Sequence, residues 1–439
     1  MHPLASGGAE VVDRLRRSMA AALLLCSALG LLAACGSVPP VAATRTSKRH
    51  RHPLQAVHQA PSVAAGSLDL LSIDMAGPLT GWAVAVVGQR VEVLRTESGG
   101  RFWTNVSPAG MPAAADITTD DSFDLVSRGG TVWFAGERAV GSTDQTVVYR
   151  TSDNGKHWRT AVVHWAGGGQ IVLDFASPQR GWMLLLGEAG MGQMQKVLYR
   201  TTDAGASWTR LWTNTYGPVP GALPMTGYPS GMAFADGRHG WVAGYAGLVT
   251  DCSPYLYASS DAGRDWQAVP LALPPGFVAR TQNAPNGYCA SGWAPTFSSF
   301  AGVQGTLVLD LWRLQNNQVG SPTQALAYRT DDGGRTWSYG GLLQFPGTVV
   351  PFFADPAHGW ILGLSTAGRP ATLYRTANGG RSWQSLALPP AARSFVASGA
   401  QLDFVDPLHG FLLLQAQDGI SQLFRSANGG STWLAVAAR

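Results

Sequence analysis

An octet recurs seven times along this chain, and a repeat at that spacing limits the possible fold more than any other feature of the sequence. Its form is Thr or Ser, any residue, Asp or Asn, any residue, Gly, two residues of any kind, then Trp. Complete copies run from Thr151 through Asp153 to Trp158 and from Thr201 through Asp203 to Trp208. Asp261 precedes Trp266 and Asp332 precedes Trp337 in the same way. Asn378 and Asn428 take the acidic position in the copies ending at Trp383 and Trp433, and Ser98 takes it in the copy ending at Trp103. Successive tryptophans lie 55, 50, 58, 71, 46 and 50 residues apart.

The octet has the chemistry of a hairpin turn. A short Asp, Asn or Ser side chain accepts hydrogen bonds from its own turn, Gly supplies a positive φ, and Trp lays an apolar plate on the neighbouring strand. Exchange of Asp for Asn or Ser keeps the acceptor and drops the charge, so these positions read as structural. A second repeated element precedes most octets: Met75 to Trp82, Phe175 to Trp182, Phe234 to Trp241, Phe353 to Trp360 and Phe404 to Phe411 each place a large apolar residue seven before an aromatic. An inner strand, a tight turn and a second strand produce that spacing. Each unit therefore predicts four short antiparallel strands, with the octet between the third and fourth. The 54 Gly, 27 Pro and 16 Trp fit many short strands and oppose a helical bundle. Seven such sheets bury their apolar faces by packing around an axis, so the expected fold is an all-β, seven-bladed propeller of four-stranded antiparallel blades.

In these residues the chain resembles the Asp-box (bacterial neuraminidase repeat) propellers. The form Arg-Thr-x-Asp-x-Gly-x-x-Trp, coupled to His-Gly-Trp, is most similar to the photosystem II assembly/stability factor group of exported bacterial proteins. That resemblance implies the fold over about 68–439 and carries little about function, because the shared residues build blades. Sialidases share the box, yet the Arg-Ile-Pro that usually carries their first substrate-clamping arginine is absent here. Of five glutamates, Glu137 and Glu188 remain as loop candidates, without an evident Tyr or Arg constellation. No catalytic residue, metal ligand or cofactor is expected.

The amino terminus reads as an address. Arg14, Arg16 and Arg17 precede the apolar run Met19 to Ala34, the order of an export signal, and Leu32-Ala33-Ala34-Cys35-Gly36 resembles a lipoprotein cleavage motif. The expected organisation is a signal peptide over 1–34, a lipidated Cys35 opening a basic Pro/Ala-rich tether over 35–66, and a propeller over 67–439. Several acyl chains at one terminus would hold the protein to a membrane on the extracytoplasmic side. The formal charge of +4 is concentrated in the tether; residues 67–439 carry 24 bases against 25 acids, which opposes nucleic-acid binding by the folded part. Cys252 and Cys289 remain after Cys26 and Cys35 are assigned, and an oxidising compartment predicts a disulfide between them.

Arg95, Arg150, Arg200, Arg329, Arg375 and Arg425 directly precede their octets, and Ala258 is the exception. One arginine per repeat is expected to stack within the repeat rather than form an anion-binding ring. Departures from the repeat are better functional candidates, since blades tolerate insertions on one face. The long connections 106–122, 213–231, 271–296 and 313–325 supply Tyr216, Tyr228, Arg280, Asn283, Tyr288, Trp293 and Arg313 as a binding face. Two functions are expected of a monomeric propeller so built: a non-catalytic protein-binding or assembly module, or a glycan-binding or glycan-cleaving propeller.

Overall fold

In a computed structural model, residues 68–437 are described apart from 112–121, 141–142, 166–168, 191, 215–216, 248–251, 298–303, 316–317, 346–347, 365–369 and 417–418. The expected signal peptide, Cys35 and the tether lie outside the described residues. Unit one is β1 (Asp69–Met75), β2 (Gly81–Val87), β3 (Arg90–Thr96) and β4 (Trp103–Asn105). Unit two follows as β5 (Phe123–Arg128), β6 (Thr131–Val140), β7 (Thr143–Thr151) and β8 (Arg159–Val163). Unit three is β9 (Gln170–Ser177), β10 (Arg180–Gly190), β11 (Gln193–Thr201) and β12 (Thr209–Thr213), and unit four is β13 (Tyr228–Phe234), β14 (Gly240–Tyr245), β15 (Pro254–Ser259) and β16 (Gln267–Ala268). Unit five splits its inner strand into β17 (Tyr288–Gly292) and β18 (Thr296–Phe297), then continues as β19 (Gly305–Gln315), β20 (Gln318–Thr330) and β21 (Ser338–Phe345). Unit six is β22 (Val349–Phe353), β23 (Gly359–Gly363), β24 (Thr372–Thr376) and β25 (Gln384–Leu386). A short helix, α1 (Pro390–Ser394), leads to unit seven: β26 (Gly399–Phe404), β27 (Gly410–Gln415), β28 (Ser421–Ser426) and β29 (Leu434–Val436).

Every unit is an antiparallel meander, and one pairing, Tyr245 with Ser291, fuses units four and five into a nine-stranded sheet. The octets are the turns between the third and fourth strands. In the third, Asp203 accepts hydrogen bonds from the Ser207 amide, the Ser207 hydroxyl and the Thr201 hydroxyl, while Thr201 accepts from the Gly205 amide. Burial raises the Asp203 carboxyl, but these bonds outweigh it and hold the group at about 2. Asn378 and Ser98 accept the corresponding amides of Ser382 and Phe102, which is why charge is dispensable at this position. The residue before the octet glycine is also left-handed, with φ 62° at Ala204 and 64° at Asn154.

Large aromatics join the units. The second-strand Trp of one unit stacks on the inner-strand Phe of the next, and that Phe meets its own octet Trp edge-on. Trp133, Phe175 and Trp208 form one such triad, with centroids 3.7 Å and 6.1 Å apart; Trp182, Phe234 and Trp266 form another, at 3.6 Å and 6.0 Å. Trp360, Phe404 and Trp433 repeat it between units six and seven. Each triad adds about 0.5–1.5 kcal/mol per ring pair beyond area burial. Indole N–H groups reach the next octet: Trp133 donates to the Ala204 carbonyl, Trp182 to Ala262 and Trp360 to Gly429. The preceding arginines do the same, Arg150 to Asp203 and Ala204, Arg329 to Asn378, and Arg375 to Asn428 and Gly429. They are joints between repeats.

Inner-strand carboxylates form a second set of joints near the axis. Asp74 accepts the Ser127 amide and hydroxyl, Asp124 accepts the Leu173 amide, Asp174 accepts Phe234, and Asp403 accepts Met75. The last of these closes the ring. β1 packs on β26 and β28, while among the described residues β29 pairs only with β28 and β1 only with β2, so no described strand is exchanged between the terminal units. The seam is held by polar contacts as well as apolar ones: Gln401 brackets Ile73, Ser421 accepts the Leu70 amide, and Gln415 donates to Leu70 and Leu71. The chain is a closed β-propeller.

Candidate functional site

In an up-and-down sheet the hairpins between second and third strands emerge on the same face as the connections between units, opposite the octets. On that face unit four carries a cleft of ≈ 860 Å³. Its floor is β15, where Tyr255 and Tyr257 project side by side because strand side chains two apart share a face, with ring centroids 4.7 Å apart. Pro270, Leu271 and Phe277 of the connection to unit five close one wall, and Gly192 and Thr226 of unit three form the other. Among the described residues that line it, no Asp, Glu or His is present. Burial raises the phenols of Tyr255 and Tyr257, so both are neutral hydrogen-bonding groups at physiological pH.

Both walls are fixed by local chemistry. Lys196 on β11 is fully buried and donates its ammonium to the carbonyls of Met194, Pro224, Met225 and Thr226, at 3.2, 2.8, 2.9 and 3.4 Å. Burial pushes the group down to about 7. It pins the 224–226 segment behind Thr226. On the other side a disulfide joins Cys252 and Cys289, with Cα atoms 4.5 Å apart and a sequence separation of 37. Cys252 donates its amide to Arg280 and accepts from Ala290, so the connection is stitched to unit four by backbone bonds also.

The nominated binding residues divide. Tyr288 and Arg313 come together as cross-strand partners, with the guanidinium 4.2 Å from the Tyr288 ring centroid. Phe277 of the cleft wall lies 4.9 Å from the same ring, so this exposed cation and the cleft share a rim. Arg280 and Asn283 lie on the connection itself, where the Arg280 amide donates to the Tyr288 carbonyl. Tyr228 has a structural place: its hydroxyl accepts the Gly192 amide and its ring stacks on Tyr245. Trp293 departs from the expected face. It lines an axial cavity of ≈ 320 Å³ with Asp124 and Gln401, and its indole donates to the buried Asp310. Tyr216 lies outside the described residues.

Two further expectations are corrected. The segment 313–325, read as a loop, consists mainly of the extended arms of β19 and β20, because Arg313, Leu314 and Gln315 pair in register with Gly320, Val319 and Gln318. Cys289, read as lying in a connection, sits on β17, a strand that the sequence pattern hid because Pro295 interrupts the inner strand before Phe297. Tyr255, Tyr257, Phe277 and Lys196 were not legible as site residues. Their one available signal was the Tyr-x-Tyr alternation ahead of the octet that lacks its arginine. Among the described residues no cluster of His, Cys, Asp and Glu is arranged for a metal ion.

No family model matches the chain. A curated xyloglucanase from Paenibacillus sp is 25% identical over 328 residues, covering 66% of this chain and 29% of that protein. The chain thus spans under a third of that relative's length. Among solved structures, the polysaccharide lyase Uly1 superposes with a TM-score of 0.51 at 10% identity, covering 84% of this chain and 91% of that one. YCF48 bound to D1 peptide gives a TM-score of 0.30 at 16% identity over 84% and 94% of the two chains. These likenesses are to propellers, several of them glycan-active.

Proposed function

We propose that this chain is a seven-bladed Asp-box propeller, held by a lipid on Cys35 to the extracytoplasmic side of a membrane, whose unit-four cleft binds a glycan without cleaving it. The observation that carries the reading is the pairing of Tyr255 and Tyr257 along the cleft floor, beside the wall formed by Phe277 and Pro270. Flat aromatic and proline surfaces pack on the C–H faces of sugar rings, while phenols and open backbone groups take up hydroxyls. The cleft falls within the usual ligand-site range of about 300–1,000 Å³. The likeness to a xyloglucanase supports a polysaccharide as the ligand class. The lack of a lining carboxylate among the described residues supports binding over hydrolysis, which needs paired acids.

The test is affinity electrophoresis of the mature protein in gels containing xyloglucan or other soluble polysaccharides, with Tyr257→Ala and Phe277→Ala beside the wild type. Retardation by one polysaccharide, reduced about tenfold or more in affinity by each variant, is expected. Absence of retardation in all of them, or retardation that both variants leave intact, overturns the reading. A second reading, a protein-docking module, is favoured by Arg313 exposed over Tyr288 at the cleft rim, since Arg and Tyr dominate docking hot spots. Arg313→Ala would then abolish a co-purifying partner and leave polysaccharide retardation unchanged.

A further inference from the structure

On the octet face, the joint between units four and five differs from its counterparts. At three other joints an arginine before the octet reaches the next unit's turn carbonyls: Arg150 at Asp203 and Ala204, Arg329 at Asn378, and Arg375 at Asn428 and Gly429. Ala258 stands at that position in unit four. The carbonyls of Asp332 and Gly333, which hold the equivalent places in the unit-five turn, receive no side chain from it. The companion contact is missing as well. Trp133, Trp182 and Trp360 donate their indole N–H to the next octet, whereas the Trp241 indole nitrogen is buried without a hydrogen-bond partner among the described residues. Trp241 itself is 2% exposed and still stacks on Phe297 at 3.9 Å, so its ring is in the ordinary place.

The space left behind is a cavity of ≈ 580 Å³, lined by Trp241, Ala258 and the Asp332–Gly334 turn. Asp236, Asp261, Asp265 and Asp332 all line it, against Arg335 as the one arginine and His239. Three of these carboxylates are engaged: Asp236 with His239, and Asp261 and Asp332 within their own turns. Asp265 is different. Its carboxyl shares a hydrogen bond with the Asp261 carboxylate, which raises its proton affinity, and no basic side chain among the described residues pairs with it.

We propose that this cavity binds a guanidinium group, supplied by a ligand in place of the arginine that unit four lacks. The Asp332 and Gly333 carbonyls would accept its N–H groups as the Asp203 and Ala204 carbonyls accept those of Arg150, and Asp265 with Asp261 would supply the countercharge. A planar fork of donors suits this arrangement of adjacent carbonyls and carboxylates better than a compact ammonium. The group belongs either to a small guanidinium compound or to an arginine side chain of a partner, and both present the same fork.

Isothermal titration of the full chain with ethylguanidinium at constant ionic strength, against ethylammonium, tests the site. Saturable binding is expected, with a preference of about tenfold for the guanidinium. Ala258→Arg supplies the group in cis and is expected to abolish that binding while raising the melting temperature. Asp265→Asn, at an exposed position, is expected to weaken binding about tenfold and decides the matter if Ala258→Arg does not fold. A folded Ala258→Arg that binds as wild type, unchanged affinity in Asp265→Asn, or no saturation of the wild type by about 50 mM ligand would each overturn the proposal. An acetyl-Gly-Arg-Gly-amide peptide that binds more tightly than ethylguanidinium assigns the site to a partner's arginine, and equal binding assigns it to a free cation.

Discussion

Asp174 is the most informative residue to change, because its charge and its hydrogen bond can be separated. Its Oδ2 accepts the Phe234 amide at 2.6 Å across the joint between units three and four. Burial raises the carboxyl from 3.8 to about 7, against the lowering effects of that bond and of Arg128. A group whose folded pKa lies above its unfolded one costs nothing below the unfolded value; it costs increasingly as pH climbs to the folded value, because the unfolded chain releases its proton first. The window here runs from about pH 4 to about pH 7. The gap spans roughly three decades of proton affinity at about 1.4 kcal/mol each, so the penalty at pH 8 is on the order of 4 kcal/mol. Asp174→Asn keeps an acceptor for Phe234 and cannot ionise. It is expected to match the wild type at pH 4 and to exceed it by about 2–4 kcal/mol at pH 8, as read by urea denaturation followed through tryptophan fluorescence. The same offset at both pH values, or a variant less stable at pH 8, refutes the reasoning. Asp74 and Asp403 are raised by burial too, Asp403 further by the charge of Asp74, so the wild type should itself lose stability as pH rises from 4 to 8.

Loss of the Cys252–Cys289 bridge by double alanine substitution should cost about 3–4 kcal/mol in the loop-entropy account of a 37-residue separation, measured by denaturation of both forms. Asp203→Ala removes the acceptor for three donors of one turn and should cost about 1–2 kcal/mol, while Asp203→Asn should cost well under half of that, as Asn378 and Asn428 foretell. Lys196→Met leaves four carbonyls without their donor and should destabilise the protein by about 2–4 kcal/mol; hydrogen exchange should show the loosening concentrated at 224–227. Cys35→Ser should move the protein from the membrane fraction to the soluble one, and mass spectrometry of a mature terminus beginning elsewhere would contradict the lipoprotein reading.

What could be read from sequence alone follows from how each feature is encoded. The octets were legible because one short segment holds the whole turn: its acceptor, its left-handed glycine and its tryptophan all lie within eight residues. Strand order was legible for the same reason, since neighbouring strands are joined by tight turns. Contacts between units had no such local signature. Asp174 is 60 residues from the amide it holds and Asp403 is 328 from Met75, so nothing adjacent in sequence marks either as a joint. The unit-four cleft was partly legible, because the 271–296 connection announced a departure from the repeat, yet Tyr255 and Tyr257 looked like ordinary third-strand residues until that connection was seen folded over them. Lys196 was invisible, since a lysine on a strand is normally solvated and here three carbonyls from a distant connection, with that of Met194 on its own strand, surround it. Ala258 shows the converse. It was readable as the one break in a run of arginines, but an alanine in isolation states no function. The structure gives the break its meaning by showing that Arg150, Arg329 and Arg375 bind the next turn's carbonyls. At the equivalent place in units four and five, among the described residues, it leaves the Trp241 indole buried without a partner and the Asp265 carboxyl sharing a hydrogen bond with another acid and no base. A repeat protein thus carries its own reference state, and a site can be recognised where one unit withholds a group that its sisters supply.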